Sequence, residues 1–147
     1  MRCKVLVLTH GNLAEAFVHA VSLIYGEVPQ LAFKNMPEQL DIGQYRKELE
    51  ACVRENEATG ILVVTDLLGG TPFLSCMQII QNNWDKMEVI TGCNLPMLLA
   101  VVGDIETADI QELKKTAIEA GGGGIVDLKN QLKEVKQDEE SKLCKSR

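Results

Sequence analysis

Gly60-Ile61-Leu62-Val63-Val64-Thr65-Asp66-Leu67-Leu68-Gly69-Gly70-Thr71-Pro72-Phe73 joins an apolar run, a carboxylate, a glycine turn and a helix start. The run Gly60–Thr65 is apolar almost without interruption. That is the pattern of a strand covered on both faces, as in a parallel sheet. Thr71 suits a helix N-cap, and Pro72 suits the first helical position, where its missing N–H costs nothing. A second run of the same kind, Lys4-Val5-Leu6-Val7-Leu8-Thr9, stops at His10-Gly11. Further strand-like runs lie at about 29–34, 87–91 and 124–128.

Helical patterns fill the gaps. Leu13, Phe17, Ala20, Val21 and Ile24 recur at three- and four-residue spacing, and Gly26 ends that stretch. A helix over about 44–56 turns Tyr45, Leu49, Cys52 and Val53 inward, with Asp41 as N-cap. The helix opened by Thr71-Pro72 carries Phe73, Met77 and Ile80. A short apolar helix or turn covers 96–102. The last, over about 107–120, buries Ile110, Leu113, Ala117 and Ile118. Strand–helix alternation predicts an α/β fold with a doubly wound, mainly parallel sheet and helices on both faces. Ligands of such folds bind outside the carboxyl ends of the strands. His10, Asp66 and the turn Gly92–Pro96 all fall at that edge.

The chain has 147 residues, 46% of them apolar, which fits one domain over 1–128 and a charged tail or linker over 129–147. No stretch approaches the ~20 apolar residues of a membrane span. The start, Met1-Arg2-Cys3-Lys4, enters a strand directly without a cleavage-site pattern, so a cytoplasmic location is expected. Net charge is −6; the tail holds six basic and four acidic residues, +2, which leaves −8 on residues 1–128. An acidic body disfavours nucleic acid and anionic membrane as partners and tolerates a partner with a basic face. The five cysteines, Cys3, Cys52, Cys76, Cys93 and Cys144, form no C-x-x-C pair and no zinc spacing, so free thiols are expected and no metal site. Cys93, near a strand end, could be a small buried side chain or an oxidation-sensitive thiol. The run Gly121–Gly124 reads as a hinge before the strand 124–128, and such a hinge permits strand exchange between subunits. His19 falls on a solvated helix face, and Trp84 reads as a packing residue.

The chemistry rests on the strand ends. A histidine alone at such a position is usually a polar cap. Here Gly11 follows it and allows close approach of a substrate, and a helix begins just beyond, with its positive end toward any phosphoryl group on the ring. Asp66, at the end of the neighbouring strand, can fix one ring nitrogen and leave the other as nucleophile. Gly69 and Gly70 expose backbone N–H groups at a second helix start, and Thr71 can add a hydroxyl. No G-x-S-x-G elbow, dinucleotide fingerprint or Walker loop is present. A receiver domain would need an acidic cluster where Thr9-His10 stands.

Thr9-His10-Gly11 with Ala14-Glu15, then Thr65–Phe73, then Gly92-Cys93-Asn94-Leu95-Pro96-Met97 resemble, in order and spacing, the IIA domain of the mannose-family sugar phosphotransferase system. The resemblance covers residues 1 to about 128. It implies a cytoplasmic homodimer with an exchanged C-terminal strand, and no cofactor. It implies phosphoryl transfer from the carrier HPr to the histidine and then to a IIB component, with the membrane reached only through the sugar permease. His10 would be the acceptor and Asp66 its orienting partner; Gly11, Gly69, Gly70 and Thr71 would line the phosphoryl site. Family members commonly carry Asn after the Pro-Phe pair, where this chain has Leu74. Two other readings use the same histidine: a phosphotransfer subunit serving dihydroxyacetone kinase, and a non-catalytic regulatory module.

Overall fold

A computed structural model describes residues 3–145, with side chains to Lys142. Its elements run β1 (Lys4–His10), α1 (Leu13–Tyr25), β2 (Leu31–Met36), α2 (Ile42–Glu55), β3 (Ile61–Thr65), α3 (Thr71–Ile80), β4 (Met87–Thr91), α4 (Leu95–Asp104), α5 (Ile110–Gly123) and α6 (Leu128–Lys145). The four strands form one parallel sheet in the order β2-β1-β3-β4. From β1 the chain steps outward to β2, then crosses back to β3 on the other side of β1. The switch point of this doubly wound sheet therefore lies between β1 and β3, and the crevice for a ligand opens there. The register pairs Val5 with Leu62 and Leu8 with Thr65, so β1 runs two residues past the end of β3 and carries His10 beside the loop that follows Thr65.

Because successive side chains of a strand point to opposite faces, each strand feeds two cores. Val5, Val7, Leu62, Val64 and Ile90 pack with Ala14, Val21, Leu98, Val101, Val102, Leu113 and Ala117 of α1, α4 and α5. Leu6, Leu8, Ile61, Val63 and Met87 pack with Tyr45, Leu49, Val53, Cys76 and Ile79 of α2 and α3. Every residue of β3 is buried, as a strand covered on both faces requires. Asp41 caps α2, its side chain accepting from the Gln44 amide.

Several expected details shift. β2 runs two residues further than the apolar run suggested, ending at Met36. α3 buries Pro72, Ser75, Cys76 and Ile79 rather than the stripe Phe73, Met77, Ile80; Met77 is half exposed. Small Ser75 and Cys76 face the sheet because only small side chains let α3 lie close to it. Its N-cap is Gly70, since the Leu74 amide already donates to the Gly70 carbonyl at 2.9 Å. Ile24 and Ile118 point outward, and Trp84 is 73% exposed instead of packed.

The tetraglycine is not a hinge, and residues 124–128 form no strand in this chain. Gly121–Gly123 close the last turn of α5, Gly124 is its C-cap, and α6 begins at Leu128. Packing overrides propensity here. A Cβ on Gly121 would lie 2.7 Å from Met97 Cε, and one on Gly124 would lie 2.6 Å from Pro96 Cγ. Asn94 Nδ2 donates to the Gly121 carbonyl at 2.9 Å. Glycine lets α5 approach α4 that closely. The charged tail is a helix whose side chains, from Leu128 to Lys142, are all exposed.

Candidate active site

β1 carries His10 to the switch point, and the residue after β3 is Asp66. Asp66 Oδ2 accepts from the His10 backbone N–H at 2.9 Å and lies 2.8 Å from His10 Nδ1. Oδ1 accepts from the Leu67 amide at 2.9 Å. Partial burial, the largest single influence, pushes this carboxyl upward; the His10 backbone and ring hydrogen bonds, the charge of His10 and the Leu67 amide together hold it below the ordinary range. An ionised carboxylate only accepts, so the 2.8 Å contact places a proton on Nδ1. In a neutral ring Nε2 is then the nitrogen with the lone pair. The His10 side chain is 40% exposed and that of Asp66 only 11%. The carboxylate is sheltered while the ring faces outward.

The loop after Asp66 folds back over the ring. Gly69 adopts φ +83°, a left-handed conformation that favours glycine. Gly70 lies against the imidazole, where an added Cβ would meet His10 Cε1. The amides of Gly69, Gly70 and Thr71 make no hydrogen bond among the described residues, as expected of a helix N-terminus without a capping side chain. Gly70 lies against the Cε1–Nε2 edge of the ring, and the positive end of α3, which starts one residue later, favours an anion.

Gly11 plays a different part. Its amide donates to the Met36 carbonyl at 2.9 Å, and its carbonyl accepts from Met36 at 3.2 Å. With φ +55° it turns the chain and ties the end of β1 to β2, so its amide is not free for a ligand. Met36 and Asn35 were missed in the sequence because the apolar run breaks at Lys34. Asn35 Oδ1 accepts from the Glu15 amide at 3.2 Å and its Nδ2 donates to Glu15 Oε2 at 2.9 Å, which anchors the start of α1.

On the far side, Gly92 has φ +85° and the Cys93 amide donates to the Thr65 carbonyl at 3.0 Å. Burial pushes the Cys93 thiol up to about 12, with the Asp66 charge adding to it. Thiolate is the reactive form, so a raised thiol together with its packing against the core favours the packed role for Cys93. Leu67, Leu68 and Leu74 are all exposed around the same edge, Leu68 most of all. His19 is exposed and lies away from the pair, its carbonyl accepting from Ser22 Oγ.

Fold and site define a doubly wound α/β protein with an aspartate-held histidine at the switch point. Residues 4–118 match the family model described as "PTS system fructose IIA component". The chain belongs to this family, the IIA components of the mannose-type sugar phosphotransferase system, which are phosphotransferases. It is 26% identical over 110 residues to the sorbose-specific EIIA component of Lacticaseibacillus casei, covering 75% of this chain and 79% of that protein. It is 27% identical over 104 residues to that of Klebsiella pneumoniae, covering 71% and 76%. Among solved structures, phosphotransferase system component EIIA from Streptococcus agalactiae superposes with a TM-score of 0.81 at 29% identity, covering 87% of this chain and 98% of that one. No helix among the described residues is long and apolar enough to cross a membrane.

Proposed function

We propose that the protein carries a phosphoryl group on His10 Nε2, taken from phospho-HPr and passed to a IIB component during sugar uptake. The observation that supports this reading is the 2.8 Å contact between His10 Nδ1 and Asp66 Oδ2, which in a neutral ring reserves Nδ1 for the carboxylate and offers Nε2 as the nucleophile. The Nε2 lone pair attacks the phosphorus of the donor phosphohistidine; the new P–N bond forms as the donor's breaks, and that electron pair returns to the donor imidazole. No metal or cofactor enters. The amides of Gly69, Gly70 and Thr71, with the Thr71 hydroxyl, receive the phosphoryl oxygens. Gly11 shapes the site without donating to it. The exposed Leu67 and Leu68 give the protein partners an apolar rim to dock on.

Transfer takes place in the cytoplasm, and this protein acts as a homodimer. Support for the dimer is the open edge of β4 and the exposed apolar run Ile125, Val126 and Leu128, which has no cover in one chain. The test of the function is incubation with phosphoenolpyruvate, enzyme I and HPr. It should yield an acid-labile, base-stable phosphohistidine mapped to His10, absent from His10→Ala and discharged by IIB. Phosphorylation that persists in His10→Ala sinks the assignment.

A further inference from the structure

Gly70 stands at a position where neither backbone nor helix asks for glycine. Its φ of −72° and ψ of 165° are ordinary extended values open to any residue. It is the N-cap of α3, where Ser, Asp and Asn are favoured because their side chains satisfy the first-turn amides. What excludes a side chain is the histidine. A Cβ on Gly70 would lie 2.5 Å from His10 Cε1, 3.0 Å from Nε2 and 3.2 Å from Leu67 Cδ1. Ordinary carbon contacts need about 3.5–4.0 Å. The imidazole thus fills the space of the missing side chain.

We infer that Gly70 is a positioning residue that seats the His10 ring. Asp66 holds the Nδ1 corner, and the bare Cα of Gly70 bounds the Cε1–Nε2 edge. The ring is held from two sides, and only glycine on the second side permits the 2.8 Å bond on the first. A larger residue pushes the ring, which is 40% exposed and free to yield, away from Asp66. The tautomer is then no longer enforced. The same missing side chain also spares the α3 amides from an internal cap, so the residue serves the ring and the anion pocket together. The consequence for transfer rests on the phosphoryl-carrier reading; the seating itself rests on geometry alone.

The test is the imidazole nitrogen spectrum of His10 in the full chain, read with thermal unfolding and phosphorylation rate. Wild type should show one neutral tautomer, protonated at Nδ1. Gly70→Ala and Gly70→Ser should fold with an unchanged midpoint, show mixed tautomers, and accept phosphoryl on the order of 100-fold more slowly. Gly69→Ala, strained at φ +83° but with open space around it, should lower the midpoint and keep the single tautomer. Gly70 variants that keep both tautomer and rate overturn the inference. So does a Gly69→Ala spectrum as scrambled as that of Gly70→Ala. Should the Gly70 variants fail to fold, a nuclear Overhauser contact between Gly70 Hα and His10 Hε1 in wild type decides: its presence supports the seating and its absence overturns it. If wild type takes up no phosphoryl, the carrier reading fails while the tautomer result still judges the seating.

Discussion

At Asp66 three donors converge on one carboxylate, and the acid is doing two jobs. It closes the end of β1 through the His10 backbone N–H and orients the ring through Nδ1. Asp66→Asn keeps the shape and loses the enforced tautomer. Phosphoryl acceptance should fall by about 10³- to 10⁴-fold in a rapid-quench assay, the scale seen when a histidine's carboxylate partner is made an amide. The folded carboxyl titrates below its unfolded value of about 3.9, so its contribution to stability is complete above that pH and disappears as pH falls through the folded value. Denaturant midpoints of Asp66→Asn should show a shallower acid limb than wild type; identical limbs would refute the linkage. Tyr45 offers a contrasting residue. Its hydroxyl is buried without a partner among the described residues, and burial raises the phenol well above its ordinary range. An unsatisfied buried hydroxyl is a cost, so Tyr45→Phe should leave stability unchanged or raise it by about 1 kcal/mol in urea titration.

Among the elements, β1 and β3 were legible because strands buried on both faces are written as nearly unbroken apolar runs; β4, an edge strand broken by Glu88, was legible from Met87, Val89 and Ile90. β2 is an edge strand, and its polar Lys34 and Asn35 hid its last turn of ladder and the Gly11–Met36 bridge. The pair His10–Asp66 was legible from strand ends alone. Gly11's lost amide was not, because its partner lies on a strand whose end was placed two residues early. The α3 phase was misread because hydrophobicity ranked Phe73, Met77 and Ile80 above the small Ser75 and Cys76 that face the sheet. The glycine run misled for a related reason: single-residue flexibility says nothing about a neighbour, Met97, that leaves no room for a Cβ on Gly121. Gly121→Val should therefore destabilise by about 1–3 kcal/mol through overpacking against Met97, measured as a lower thermal midpoint; a flexible hinge would tolerate it. In the loop after β3, Leu68 is 71% exposed and touches no core. Leu68→Glu should raise the KM for the phosphorylated donor severalfold without moving the midpoint. An unchanged KM would remove the rim from the docking surface.

For the molecule as a whole, an acidic body and a helical tail frame one working edge of the sheet. The chain of 16.2 kDa leaves the β4 edge open and Ile125 83% exposed. Light scattering should give twice that mass, and Ile125→Asp with Val126→Asp should give the single-chain mass. A monomeric wild type would remove the dimer from the functional reading.

The parallel pairing of β1 with β3 has a consequence in time as well as space. His10 and Asp66 are 56 residues apart, and everything between them must be ordered before they meet. Closing such a loop is slow compared with forming any local helix. The pairing of His10 with Asp66 therefore waits on closure of this long loop and should follow the local helices. Until then the histidine lacks its carboxylate partner, so on the phosphoryl-carrier reading a chain that has not finished this pairing should be a poor acceptor.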